Sequence, residues 1–126
     1  QINTAQAHSL GLLTTGALYT WGSNVNGQLG DGSTTNRSSP VQVGTSSWLS
    51  ISAGGSHTVA VKLDNTLWSW GLNTRGQVGD STTTDRSSPV QVGTGYWNDA
   101  KAGLNHTVGL ADNNTLYVWG DDNFGQ

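Results

Sequence analysis

"RSSPVQVGT" runs from Arg37 to Thr45, and the same nine residues return from Arg86 to Thr94, an offset of 49. A fixed offset of this size marks a repeat architecture and governs the reading of the whole chain. His8, His57 and His106 are spaced by it, as are Trp21, Trp70 and Trp119, while Pro40 pairs with Pro89 and Trp48 with Trp97. Leu18–Thr66 laid on Leu67–Thr115 needs no gap and gives 27 identities in 49 positions. The 126 residues therefore hold about two and a half copies. Residues 1–17 end a first copy, 18–66 and 67–115 are whole copies, and 116–126 open another, all within one segment.

Composition narrows the function classes. The hydrophobic fraction is 33%, below the roughly 45–50% of an average domain, and Gly, Ser, Thr and Asn dominate, which favours strands and turns over helices. Five Lys+Arg stand against eight acidic residues, all Asp, for a net charge of −3. A nucleic-acid binder neutralising about six to ten phosphates needs more cations than this, gathered on one face, so no nucleic-acid partner is expected. With no Cys and no Met, disulfides, thiolate metal sites and thiol catalysis are excluded. There is no run of 18 apolar residues and no basic-then-apolar leader, so no membrane insertion is expected. Gln1 in place of an initiating Met suggests an upstream part that is not represented.

Within a copy the pattern is that of strands. In "HTVAVKLDNTLWSWG" (57–71), Val59, Val61 and Leu63 alternate with Thr58, Ala60 and Lys62, the period of a half-buried strand. Asp64-Asn65 then turns the chain, and the matching positions are Thr15-Gly16 and Asn113-Asn114, residue types that tolerate positive φ. "TLWSWG" returns as the second arm, with Trp68 and Trp70 on one face and Leu67 and Ser69 on the other. "PVQV" and "WLSISA" complete about four strands per copy. The face opposite the valines is small in each copy (Ser9 and Gly11, Thr58 and Ala60, Thr107 and Gly109), as a radial stack of converging sheets requires. Between Gly71 and Pro89 lies a polar loop longer than most connections in a compact domain.

Each candidate for chemistry meets a simpler structural reading. The three His precede Ser9, Thr58 and Thr107, but neighbours on a strand point to opposite faces, and one such pair per copy does not build a single active site. They are expected to be structural, hydrogen-bonded at the start of a blade. Asp80, Thr82 and Thr84 place oxygens at alternating positions, yet lack the further carboxylates and closing Glu of a tight calcium loop, so loop hydrogen bonding is expected and no metal or cofactor is assigned. Asn36, Asn105 and Asn113 fit the glycosylation acceptor pattern by chance in an Asn/Thr-rich chain. Arg37 and Arg86 are read as brackets to a neighbouring loop. Five of the six Trp recur between copies and are read as packing, leaving Trp68, whose counterparts are Tyr19 and Tyr117. Positions where the copies differ, such as Val25/Thr74, Asn26/Arg75 and Ser46/Gly95, cannot all be scaffold. Asn26, Thr74, Arg75 and Trp68 are therefore the candidate interaction residues, and no catalytic residue is assigned.

"HTVAVKLDNTLWSWGLNTRGQVGD" and "HSLGLLTTGALYTWGSNVNGQLGDG" resemble the regulator of chromosome condensation repeat, whose marks are a Gly-x-x-His-Ser/Thr strand, a Leu-x-x-Trp-Gly-x-Asn strand end and a Gly-Gln-Leu-Gly loop. The resemblance covers essentially the whole chain. It implies an all-β fold, with four-stranded antiparallel blades of a seven-bladed propeller or larger array, of which about two and a half blades are present. The exchange activity of the founding member depends on particular loops and a basic surface, and nothing in these residues matches either. The near-identical, Asn/Thr/Ser-rich copies look like microbial and phage versions. That likeness implies a non-catalytic structural or protein-interaction module of a secreted, cell-surface or virion-associated assembly, partnered by other chains or further blades. The competing reading is a carbohydrate-binding propeller with Trp68 stacking on a glycan, and a guanine-nucleotide exchange factor ranks below both. Two and a half blades cannot close a ring. The chain is thus read as a fragment of a longer array, in preference to a ring completed by assembly, and is expected to expose strand edges at both ends and to fold poorly alone.

Overall fold

The computed structural model describes residues 1–126 and contains eleven strands and no helix. The first sheet holds β1 (Ile2–Thr4), β2 (His8–Leu12), β3 (Leu18–Gly22) and β4 (Arg37–Gln42) in chain order. The second repeats it with β5 (Trp48–Ala53), β6 (His57–Lys62), β7 (Leu67–Gly71) and β8 (Arg86–Gln91). The third has β9 (Trp97–Ala102), β10 (His106–Ala111) and β11 (Leu116–Gly120). All neighbouring strands are antiparallel, so each sheet is a meander, the blade of a propeller. The sheets are phased differently from the repeat frame: a frame starting at Leu18 or Leu67 starts at the third strand of a blade.

Local chemistry sets the hairpins. The tight turns between β2 and β3, β6 and β7, and β10 and β11 each carry one residue at positive φ: Gly16 (86°), Asn65 (66°) and Asn114 (65°). Asn pays little for this conformation because its short polar side chain can bond locally. Equivalent registers follow in each blade, with His8 opposite Gly22, His57 opposite Gly71 and His106 opposite Gly120.

Two apolar cores lie between blades. Leu10, Leu18, Val43, Trp48, Ile51, Ala60 and Trp70 join the first blade to the second; Val59, Val61, Leu67, Val92, Trp97, Ala100 and Ala111 join the second to the third. The middle blade is thus covered on both faces, and Thr58, Val59, Ala60 and Val61 are all buried. Each fully buried Leu, Ile or Val contributes about 1.5–3 kcal/mol relative to its exposed state. The cores exist only where two blades meet.

The small face has a cause beyond convergence of sheets. A Cβ on Gly109 would stand 2.5 Å from Trp97 Cζ3 and 3.0 Å from Trp119 Cη2. The rings of the two flanking strands lie over the middle strand of their own blade, with centroids 5.8 Å apart for Trp97 and Trp119 and 5.7 Å for Trp48 and Trp70. Small residues at Ala60 and Gly109 make room for them.

Glycine in the "GQVG" loop answers to the next blade's tryptophan. Gly79 has φ +81°, and a Cβ there would meet Trp119 Nε1 at 2.5 Å; Gly30 stands likewise to Trp70. Gly93 has φ +63° and nothing within 4 Å. Gly79→Ala should therefore destabilise the fold by about 2–4 kcal/mol, from strain and overpacking together. Gly93→Ala should cost about 1 kcal/mol from backbone strain alone. Equilibrium denaturation of the two variants would show this ordering, and equal costs would refute it.

Candidate interaction surface

The joints between blades define what the loops can present. Thr58 Oγ1 lies 2.9 Å from the Gln28 carbonyl and 2.9 Å from His8 Nε2. Its single hydroxyl hydrogen is donated to Gln28, so toward His8 the oxygen accepts, and the imidazole carries its hydrogen on Nε2. Trp70 Nε1 donates to the same Gln28 carbonyl at 2.9 Å. The arrangement repeats one blade on: His57 Nε2 meets Thr107 Oγ1 at 2.9 Å, and Thr107 Oγ1 and Trp119 Nε1 donate to the Gln77 carbonyl at 2.8 and 3.0 Å. The sequence places the His as structural at the start of a blade; the contacts show the structural role, but His8 and His57 open the second strand of their blades, since β1 and β5 precede them. What it missed is the direction: each His serves the Thr of the following blade, 50 residues on.

Burial holds the His8 and His57 imidazoles neutral, lowering both to about 4; for His57 the neighbouring His8 and His106 add to the effect of burial. A base with a depressed folded pKa takes up a proton on unfolding.

The long loops fold around one asparagine each. Asn24 Oδ1 accepts from the Leu29 amide at 3.0 Å, and its Nδ2 donates toward the Ser33 and Thr35 carbonyls, both at 3.0 Å. Asn73 does the same with Val78, Thr82 and Thr84. Both hubs are wholly buried. Their recurrence before each Gly-Gln was the available signal, but their bonding was not legible because the partners are backbone atoms.

Arg37 Nε donates to Asp31 at 2.8 Å, and Arg86 Nε donates to Asp80 at 2.6 Å. Each Arg therefore brackets the loop preceding its own strand, not a neighbouring loop, because the loop curls back and sets the Asp six residues away beside it. Asp80 Oδ1 accepts from Thr82 N, Thr82 Oγ1 and Asn73 Nδ2, which is the loop hydrogen bonding expected there. Burial pushes the Asp80 carboxyl up, but its bonds to Thr82, Arg86 and Asn73 together outweigh this and hold it below the usual range. Asp31 is held down in the same manner by Ser33, Arg37 and Asn24.

This bonding holds the first two loop tips, whose residues differ between copies. Val25 is 65% exposed and Asn26 half-buried in the first loop, Thr74 and Arg75 are exposed in the second, and Asn123 and Phe124 (94% exposed) hold the matching places after β11. Asn26 Nδ2 reaches Asp85 Oδ2 at 3.2 Å, tying the first loop to the second. The structure thus brings Asn26, Thr74 and Arg75 together at the same end of successive blades. Trp68 does not join them. It is the second residue of β7, at the opposite end, where its Nε1 donates to Thr66 Oγ1 at 2.8 Å and the Lys62 ammonium stands 3.6 Å from its ring centroid. Lys62 replaces Leu13 and Ala111 of the other copies, so its singularity was visible in the sequence; its seat on Trp68 was not. The inner strands also diverge, "LSIS" (49–52) against "NDAK" (98–101), and there Lys101 Nζ pairs with Asp99 Oδ2 at 2.9 Å.

Meandering sheets stacked face to face, joined by His–Thr contacts and capped by Asn-centred loops, define a partial β-propeller of repeated blades. The regulator of chromosome condensation (RCC1) repeat matches residues 15–61 and 64–110, and a second description of that repeat matches 48–77 and 99–126. The chain belongs to this repeat family. Among solved structures, human WBSCR16 is similar at 27% identity and a TM-score of 0.87, over 95% of this chain and 32% of that one. Yeast RCC1 (Prp20), solved with Kap60 bound, is similar at 23% identity and a TM-score of 0.82, over 97% of this chain and 32% of that one. Prp20p from Saccharomyces cerevisiae, described with its binding to Gsp1p and histones, is similar at 25% identity and a TM-score of 0.78, over 95% and 32% respectively. The chain spans about a third of the length of these structures.

The buried His give a pH test. Unfolded His titrates near 6.5, whereas His8 and His57 titrate near 4 in the fold. Between these values the unfolded chain binds more protons, so stability is full above about pH 6.5 and falls as pH drops toward 4. The loss should be on the order of 3 kcal/mol for each His by pH 4. Thermal melting from pH 8 to 4 should show the fall, and replacing both His by Gln should flatten it.

Proposed function

We propose that this chain is a non-catalytic propeller module whose variable loop tips bind a protein partner. The observation that carries the reading is the row Val25-Asn26, Thr74-Arg75 and Asn123-Phe124. Equivalent positions on three successive blades carry different chemistry, the first two of them on loops with the same Asn-centred framework and the third after Asp122, which stands at the Asn place. Exposed large apolar side chains beside a free cation suit a protein–protein contact, in which aromatic and Arg residues contribute most of the energy. The non-catalytic reading is supported by the use already made of two nucleophile-like groups: Thr58 and Thr107 are buried and bonded at the joints. The Kap60, Gsp1p and histone contacts of Prp20 support protein binding as the mode of action by family likeness.

A place in a secreted, cell-surface or virion-associated assembly is part of this proposal and rests on the Asn/Thr/Ser-rich, near-identical copies. The carbohydrate reading has less behind it, because Lys62 stands over the Trp68 ring and the ring also packs, partly buried, against the first core.

The test is affinity capture followed by cross-linking with the wild-type chain and a Val25→Ser/Arg75→Glu/Phe124→Ser variant of unchanged circular dichroism. A stoichiometric protein complex should form with wild type and weaken at least tenfold in the variant, since exposed hot-spot residues cost more than 1 kcal/mol each. Binding that survives in this variant, disappears in Trp68→Ala and is competed by free sugar would replace the proposal with the lectin reading.

A further inference from the structure

A groove between the first two blades holds hydrogen-bond donors that the fold does not use. It encloses about 340 Å³, with Gln42, Ser46, Trp48, Lys62 and Ser88 in its wall. Both blades that form it have all four strands, so its shape does not depend on the faces left open at either end. The Lys62 ammonium finds no acceptor there or elsewhere in the chain: the three ion pairs belong to Arg37, Arg86 and Lys101. It rests instead on aromatic rings, 3.6 Å from the Trp68 centroid and 5.4 Å from that of Trp48. Trp48 is 3% exposed, and its indole N–H has no hydrogen-bond partner. A buried donor without an acceptor is costly.

The carboxylates nearby are engaged elsewhere. Asp31, also in the wall, is bound to Arg37, and Asp64, close enough to feel the Lys62 charge, accepts from Thr66. An ammonium carries three donors and no acceptor, so the rings beneath it leave hydrogens for an anion above. The next groove supplies a comparison within the molecule. Trp97 lines it with an indole N–H that likewise lacks a partner, but Ala111 and Gly95 stand at the places of Lys62 and Ser46. The scaffold repeats the unsatisfied indole, and only the first groove adds a cation and a hydroxyl to it.

We propose that this groove binds the side-chain carboxylate of an acidic residue on a partner protein, with Lys62 as its ion partner and the Trp48 indole and Ser46 hydroxyl as further donors. A sugar acid fits less well. Lys62 stands over the Trp68 ring, that ring packs partly buried against the first core, and Trp48 is buried, so neither offers an open face to a pyranose. That the carboxylate belongs to a protein rests on the protein-binding reading above; the groove's preference for a carboxylate does not.

Nitrogen–proton correlation spectra of the assigned indole groups test it, with acetyl-Gly-Glu-Gly-amide and its Gln counterpart as probes. The Trp48 indole signal should shift saturably with the Glu peptide and not with the Gln peptide, while the Trp97 signal stays in place. Lys62→Gln should weaken binding by about tenfold or more, and Lys62→Arg, which restores the charge, should retain it. Added salt should weaken binding as well. The loop-tip variant Val25→Ser/Arg75→Glu/Phe124→Ser should bind the peptide as wild type does, so that failure of the loop-tip reading and failure of this one appear as separate results. No saturable shift, an equal shift with the Gln peptide, movement of Trp97 along with Trp48, or binding unchanged by Lys62→Gln would each overturn the proposal. Galacturonate binding more tightly than the peptide would overturn the assignment to a protein carboxylate.

Discussion

One carbonyl per blade carries the joint to the next. The Gln28 and Gln77 backbone oxygens each accept two hydrogen bonds from the following blade, a Thr hydroxyl and a Trp indole, and the Thr oxygen in turn accepts from the preceding blade's His. All these groups are buried, with the third blade's Trp119 more open. A bond lost there would leave a desolvated donor or acceptor, a penalty of about 1–3 kcal/mol. That penalty fixes the rest: the glycine that leaves space for the indole, the asparagine that shapes the loop so that its Gln carbonyl points at the next blade, and the neutral imidazole. A repeat protein of this kind is stabilised by its neighbours more than by its units.

The loops divide a shared scaffold from tips that vary between copies, the part to which the proposed function assigns binding. From Asn24 to Asp31 and from Asn73 to Asp80, the groups that turn the chain and cap its carbonyls are nearly the same in both copies. The two residues at the tip vary, and of their side chains only Asn26 reaches the neighbouring loop, at Asp85. Such loops on a rigid base are where proteins place recognition, and the side chains of Asn26, Arg75 and Phe124 take no part in the His–Thr–carbonyl joints.

Much of the fold could be read from the sequence because a period of 49 is a statement about geometry: equal spacing demands equal blades. The strands, the hairpin turns at Gly16, Asn65 and Asn114, the structural His and the packing Trp all follow from residues compared with their own copies. What the period cannot say is which copy a side chain touches. The His–Thr pairs looked like neighbours on one strand and are in fact contacts across a joint. Arg37 and Arg86 looked like links between loops and hold their own loop, since the curl that brings Asp31 and Asp80 back is set by buried Asn bonding to backbone atoms. Of the candidate residues, Asn26, Thr74 and Arg75 fall on one rim, and Trp68 belongs elsewhere because Lys62, across the hairpin, covers it.

The central claim is that blades are held by a coupled His–Thr–carbonyl contact, and the most direct measurement is a double-mutant cycle on His57 and Thr107. His57→Gln, Thr107→Val and the double variant would be compared by equilibrium denaturation at pH 7.5. Residues sharing such a contact should show a coupling of about 1–2 kcal/mol. Costs that simply add, with no coupling beyond error, would contradict the account.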